Sequence, residues 1–114
     1  MIAVIVEVIP REEHKDDYFK IAAALKPELE KIEGFISVER FQSITDSAKI
    51  LSLSFWKDEE SVKQWRNLEV HRQAQSEGRK LIFQDYRLRI AVVSRDYGMH
   101  DRGEAPADSR EFHG

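Results

Sequence analysis

Two tryptophans and a histidine in one short stretch are the residues whose side chains best suit chemistry on an organic molecule. Trp56 and Trp65 are the only tryptophans among the 114 residues, and His71 follows them. An indole offers a large apolar face and one N–H donor, and an imidazole exchanges a proton near neutral pH. This combination predicts a cavity for a flat organic compound. The alternatives are core packing for Trp65 and an exposed or capping role for His71.

A carboxylate inside an aliphatic segment is the second chemical feature. Glu7 interrupts residues 2–9, which are otherwise entirely apolar. If it opens onto a cavity, it is a candidate general base. The alternative is a salt bridge to an arginine on another strand, for which Arg40, Arg87 and Arg89 are available, because buried charges are normally paired.

Composition narrows the class of protein. The chain is 41% hydrophobic and 34% charged, carries a net charge of −3 and has no cysteine. One small domain is therefore expected, without disulfides or thiolate metal sites. The lysines and arginines form no basic stripe, so nucleic acid is not expected as a partner. No apolar run is long enough to cross a membrane. Without paired histidines at metal spacing, we predict no metal site, and without a recognisable leader we predict a cytoplasmic protein.

The apolar pattern predicts six elements in the order strand, helix, strand, strand, helix, strand. The strands are expected at residues 2–9, 35–43, 49–56 and 84–96, and the helices at residues 13–32 and 59–78. Pro27 should kink the first helix or split it in two. Asp58 is the expected N-cap of the second helix, which is predicted to break near residues 67–69.

This order is that of an α+β, ferredoxin-like β-α-β-β-α-β fold, in which two helices cover one face of a four-stranded antiparallel sheet. The other face is expected to carry Val4, Val6, Leu51 and Leu53, which are too apolar to remain in water. Burial against a second copy predicts a symmetric homodimer. Residues 1–98 form the predicted domain, and residues 99–114 a tail that is either flexible or wrapped on the partner.

The segments SFWKDEESVKQWRNLEVHRQAQ, residues 54–75, and RDYG, residues 95–98, make this chain resemble the antibiotic biosynthesis monooxygenase family. The resemblance extends over about residues 1–98. It implies the dimeric α+β barrel. Members of that superfamily include cofactor-free oxygenases of polyketide aromatics, quinol monooxygenases, haem-degrading enzymes and proteins without an assigned activity. The fold alone does not choose among these activities.

The resemblance also allows the haem-degrading branch to be tested residue by residue. That branch uses an asparagine on the first strand, a tryptophan on the second helix, and a haem-ligating histidine ten residues after the tryptophan. The corresponding places hold Glu7, Trp65 and Gln75 here. Glutamine is a poor iron ligand compared with imidazole, and His71 lies one helical turn away from that place. Haem degradation is therefore not expected.

The leading hypothesis is a monooxygenase that acts without a bound metal or flavin on a small phenol or quinol. In it, Trp65 forms a wall and donates its N–H, His71 and Glu7 are candidate proton-transfer groups, and Tyr18 is a gate. Tyr18, Trp56 and Trp65 are expected to contact the substrate. The alternative is a non-catalytic binding or stress-related module of the same fold. Convergence of Glu7 and His71 on one cavity would favour the enzyme, whereas a paired Glu7 with an outward His71 would favour the module.

Overall fold

The computed structural model describes residues 1–75 and 82–113, with side chains at residues 1–68 and 82–112. The elements in chain order are β1 (Ile2–Pro10), a short 3₁₀ turn (Glu12–His14), α1 (Lys15–Glu30), β2 (Phe35–Gln42), β3 (Ile50–Trp56), α2 (Glu59–Gln75), β4 (Phe83–Val92) and α3 (Ala107–His113). The sheet order is β2-β3-β1-β4, and every neighbouring pair is antiparallel. The predicted ferredoxin-like α+β fold is confirmed.

Side chains alternate along each strand, so the sheet has a covered face, which packs against the helices, and an open face on the other side. On the covered face, Ile2 and Val4 pack with Leu29 of α1 and Val62 of α2. Because side chains alternate along a strand, Ile5 and Glu7 occupy the open face. The prediction that Val4 and Val6 lie on the uncovered face is therefore wrong.

The open face carries half-buried apolar side chains from the two central strands. Ile5 of β1 pairs with Leu53 of β3, and Ala3 pairs with Phe55, so these residues share one face. Leu51 lies opposite Glu7 on the same face, as predicted. Helices α1 and α2 pack on the other face, so this face is available to a second copy.

Helix α1 is continuous through Pro27, whereas the sequence predicts a kink or two helices. Proline removes one backbone donor but falls in the last two turns of α1. Leu25 and Leu29, on either side of it, are 7% and 3% exposed. Packing of these leucines on the sheet holds the last turns in place. Helix α2 is likewise continuous over Glu59–Gln75, without the predicted break.

The segment after β4 has local structure of its own. The Arg110 guanidinium donates to the carbonyl oxygens of Arg102, Gly103 and Ala105. The Asp96 N–H donates to the Glu104 carboxylate at 3.1 Å. The chain is elongated, with a radius of gyration of 16.7 Å, against roughly 13 Å for a compact domain of this length. Whether this segment wraps on a partner stays a prediction.

Candidate functional site

A cavity of about 240 Å³ lies between the covered face of the sheet and the helices. Ala22, Leu25 and Leu29 of α1 line one side, and Trp65 of α2 lines another. The cavity is near the lower end of the range for ligand sites, roughly 300 to 1,000 Å³. It therefore suits a small, mostly apolar organic compound.

The floor of the cavity runs across all four strands. In the cross-strand register, Arg40 of β2 faces Ser52 of β3, Ser52 faces Val6 of β1, and Val6 faces Leu88 of β4. All four residues line the cavity. Neighbouring strands lie about 4.8 Å apart, so the row spans roughly 14 Å. One end of the floor is cationic and polar, and the other is apolar.

The two tryptophans have different places. Trp65 is partly buried, lines the cavity, and has its ring 6.1 Å from that of Trp56. Trp56 is 0% exposed, and its indole N–H donates to Ser54 Oγ at 2.9 Å. The structure therefore does not bring Trp56 to the cavity, because its indole fills the core between the sheet and α2. Its contribution is indirect, since it fixes the hydroxyl of a lining residue.

Tyr18 lines the cavity, and its contact with a substrate stays a prediction. It is 7% exposed and packs edge-on against Phe83, with ring centroids 5.8 Å apart. Tyr86 of β4 lines the same end and is 63% exposed. A buried and an exposed tyrosine at one end indicate where the cavity approaches solvent. A gating role for Tyr18 stays a prediction.

Glu7 lies on the open face and does not reach the cavity. Its carboxylate accepts a hydrogen bond from Arg89 Nη1 of β4 at 3.3 Å. This is the salt bridge given as the alternative to a cavity carboxylate. Of the two groups expected to converge, Glu7 is thus paired elsewhere, and the side chain of His71 lies outside the described residues. The side chain of Gln75 lies outside them too.

Arg40 and Ser52 are the cavity residues that the sequence pattern does not single out. The pattern suggests Arg40 only as a salt-bridge partner for Glu7. The signal that could have found it is its spacing of two from Val38, which places both side chains on the covered face of β2. Arg66 of α2 is exposed and also lines the cavity.

The start of α2 is fixed by a compact set of contacts. The Ser61 N–H donates to Asp58 Oδ1 at 2.9 Å, so Asp58 is the N-cap that the sequence predicts. The Ser61 hydroxyl lies 2.8 Å from Asp58 Oδ1 and 2.9 Å from the Glu33 carbonyl oxygen. The hydrogen bonds from Ser61 lower the pKa of Asp58. Gly34 lies close to Ser61 and has a φ of 94°, so an added Cβ would overlap the Ser61 hydroxyl.

The described residues offer little to a metal or haem iron. They contain no group of three or more histidine, cysteine or acidic side chains placed to hold a metal ion. The described lining of the cavity contains no histidine, cysteine or methionine, and Tyr18 and Tyr86 are its residues of a type that can ligate haem iron. No described helix has both the length and the apolar character needed to cross a bilayer.

Comparison with known proteins gives a family and one closely similar sequence. Residues 1–77 match the sequence profile of the family described as antibiotic biosynthesis monooxygenase. A curated protein named jasmonate monooxygenase ABM, from Pyricularia oryzae, is 45% identical over 94 residues. The match covers 82% of this chain but only 44% of that protein. The chain thus spans less than half the length of that relative.

Solved structures share the fold at low sequence identity. Rv0793 from Mycobacterium tuberculosis superposes with a TM-score of 0.72 at 12% identity, covering 85% of this chain and 98% of that one. The haem-degrader MhuD from the same organism, solved with two haems in its active site, gives a TM-score of 0.68 at 15% identity. That match covers 86% of this chain and 100% of that one. At such identities the likeness establishes the fold alone.

Proposed function

Because this chain belongs to the antibiotic biosynthesis monooxygenase family, we propose that it oxygenates a small, mostly apolar compound in the cavity beside Trp65. The observation that carries the proposal is the cavity itself, about 240 Å³ in volume and lined largely by apolar side chains. An apolar lining of this kind strengthens the electrostatic effect of the few polar groups present once a ligand displaces water from it. The family profile and the name of the curated relative both support monooxygenase chemistry.

The electron balance divides the possible substrates into two classes. A monooxygenase places one atom of O₂ in the substrate and reduces the other to water, which consumes two additional electrons. A hydroquinone supplies them itself: one ring C–H becomes C–OH, the ring is oxidised to the quinone, and one water leaves. This substrate class needs no bound metal or flavin. Trp65 would form a wall against the ring, and Tyr18 and Tyr86 would offer hydroxyl groups at one end.

Jasmonate is the second candidate, since the curated relative is named for it. It is an alicyclic carboxylic acid, and the aliphatic lining around Val6, Ile21 and Leu88 suits such a body. Unlike a hydroquinone, it does not supply the two electrons. Oxygenation of this substrate therefore requires an external reductant, such as a reduced nicotinamide nucleotide.

The open face supports a homodimer as part of the proposal. Ile5, Leu51, Leu53 and Phe55 are contiguous across β1 and β3, and Phe41 of β2, which pairs with Leu51, is 43% exposed. Contiguous apolar area of this kind is normally covered. Two copies packed face to face would cover it while leaving each cavity within its own subunit.

Oxygen uptake tests the proposal. The full-length protein is supplied with hydroquinones alone, and with jasmonate in the presence and absence of reduced nicotinamide nucleotide. We expect protein-dependent O₂ consumption with one class, and hydroxylated or quinone product by mass spectrometry. Binding without O₂ consumption in any arm would contradict the oxygenase and favour the non-catalytic module.

Two variants connect that activity to the cavity. Ala22→Phe places a ring inside it, since Ala22 is 5% exposed and lines the cavity. Ala24→Phe, on the exposed side of the same helix, is the matched control. We expect Ala22→Phe to abolish uptake and Ala24→Phe to retain it. Trp65→Phe and His71→Ala should lower turnover with the dimer intact, and unchanged turnover in both would remove these residues from the mechanism.

A further inference from the structure

We infer that the substrate carries a carboxylate and that Arg40 holds this group at the β2 end of the cavity. The inference rests on the proposed function, because it assigns a substrate class to the same cavity. It also assigns a binding role to residues outside the set predicted from the sequence.

The first observation is the charge of the cavity. Arg40 and Arg66 both line it, and no aspartate or glutamate is among its described lining residues. Cations in an apolar enclosure are normally neutralised by a nearby carboxylate. Among the residues described, no ion pair involves Arg40 or Arg66. A bound anion would provide the missing charge.

The second observation is an unsatisfied donor. The Nε of Arg40 is buried, and no hydrogen-bond partner is found for it within the described part of the chain. A buried donor without a partner is costly, and more so when it belongs to a charged group. Arg102 Nη2 shares this condition, but its guanidinium lies over the Tyr97 ring at 5.3 Å, which stabilises the cation. Arg40 has no described aromatic contact of this kind.

The third observation is the change from polar to apolar side chains along the floor of the cavity. Arg40 and Ser52 face each other at one end of the row, and Val6 and Leu88 continue it toward β4. Ser52 adds a hydroxyl donor beside the guanidinium. A ligand with an acidic group at one end and an apolar body matches this polarity along the roughly 14 Å of floor.

A carboxylate suits this site better than a phosphate. The edge of a guanidinium that contains Nε matches a planar carboxylate in a bidentate pair. A phosphate brings up to two charges and more acceptor oxygens than Arg40 and Ser52 can satisfy. Arg66 is exposed, so its charge is largely screened by solvent. A single guanidinium with a buried Nε therefore favours a single negative charge.

The test compares acids with their neutral esters. Cinnamic acid and methyl cinnamate are titrated into the full-length protein by calorimetry, as are cyclohexanepropionic acid and its methyl ester. We expect the acid of at least one pair to bind about tenfold or more tightly than its ester, the effect of one charge-assisted hydrogen bond. Comparison of the two pairs distinguishes an aromatic body from an alicyclic one.

Variants at Arg40 assign the preference to one side chain. Arg40→Gln and Arg40→Met should bind acid and ester equally, and Arg40→Lys should restore part of the difference. Arg11→Gln is the control, because Arg11 is exposed and is not among the cavity residues. Circular dichroism of each variant checks that the fold is retained.

The possible outcomes test two claims separately: that the substrate has a carboxylate, and that Arg40 binds it. Equal binding of acid and ester by the wild-type protein would overturn the carboxylate inference and leave the cavity and the oxygenase proposal standing. An acid preference that survives in both Arg40→Gln and Arg40→Met would overturn the role of Arg40. Failure of every acid and ester to bind would overturn the carboxylate inference, and O₂ uptake with hydroquinones would then decide the oxygenase proposal separately.

Discussion

The two faces of the sheet each hold an arginine, and the surroundings of these arginines differ. On the open face, Arg89 donates to Glu7 at 3.3 Å. On the covered face, Arg40 has a buried Nε without a described partner, in a cavity whose described lining has no carboxylate. The charge of Arg89 is thus balanced within the chain, whereas Arg40, for which the described residues offer no partner, is where we propose that a ligand binds. The open face, whose arginine is paired, suits a second copy, and the covered face, whose arginine has no described partner, suits a small molecule.

The apolar residues of the two faces differ in the same way. Those of the covered face contact α1 and α2 and leave a defined volume between them. On the open face, the half-buried side chains form a continuous surface across the central strands, made of Ile5, Leu51, Leu53 and Phe55. Apolar volume between packed elements favours a ligand, and continuous apolar area favours a partner protein.

The largest effect is expected from a charge placed on the open face. Leu53→Glu would bury a carboxylate in the proposed interface, so we expect the dimer to weaken at least about 100-fold. Sedimentation equilibrium measures this change. Ile44→Glu is the control, because Ile44 is 101% exposed in the turn between β2 and β3. A wild-type monomer, or a Leu53→Glu dimer of unchanged affinity, would contradict the assignment of the open face.

A change at Gly34 tests how firmly α2 is fixed over the covered face. Gly34→Ala adds a Cβ at a φ of 94° and overlaps the Ser61 hydroxyl. We expect the free energy of unfolding to fall by about 2 kcal/mol. Gly98→Ala is the matched control, because an added Cβ there meets nothing within 4 Å. Equal stability of the two variants in urea denaturation would show that this contact does not hold α2.

Replacing each arginine by methionine compares the faces directly. Arg40→Met removes a buried, unsatisfied donor, so we expect stability to rise by about 1 kcal/mol. Arg89→Met leaves Glu7 without its partner, and we expect a loss of about 0.5 kcal/mol, because the pair is largely exposed. Urea denaturation measures both. A loss of stability in Arg40→Met would mean that its guanidinium is satisfied within the protein.

The smallest effect is a pH dependence at the N-cap of α2. Folding lowers the pKa of Asp58, mainly through the hydrogen bonds from Ser61. A lowered folded pKa contributes stability above the ordinary value of about 3.9, and this contribution is lost as the pH falls through the folded pKa. Asp58→Asn should therefore be less stable than wild type near pH 6, with a difference that shrinks below about pH 4. A stability difference that stays constant as the pH falls from about 6 to about 3 would contradict this role of the Asp58 carboxylate.

The fold could be predicted because its signals are local. Alternation in residues 35–43, the turn at residues 45–47 and the cap at Asp58 each specify an element without information from elsewhere in the chain. Which side of β1 packs against the helices could not be predicted in this way. Its residues are apolar on both sides except Glu7, so the pattern carries no alternation, and only packing against the helices decides that Val4 and Val6 are covered.

The candidate site could be predicted only in part. Trp65 and Tyr18 line the cavity because large aromatic side chains on the inner faces of helices generally do. Trp56 is instead buried in the core. Glu7 forms a salt bridge to Arg89 on β4, which can be foreseen only if the register of β1 and β4 is known. Arg40 escapes prediction because a cation in an alternating strand normally indicates the solvent face. Its position in the cavity depends on how the helices pack on the sheet.

A crystal structure of the full-length protein with cinnamic acid tests the central distinction between the faces most directly. The account predicts one ligand in each subunit on the covered face, with its carboxylate within hydrogen-bond distance of Arg40 and Ser52 and its ring over Val6 toward Leu88. A carboxylate directed away from Arg40, or a ligand bound on the open face, would contradict it.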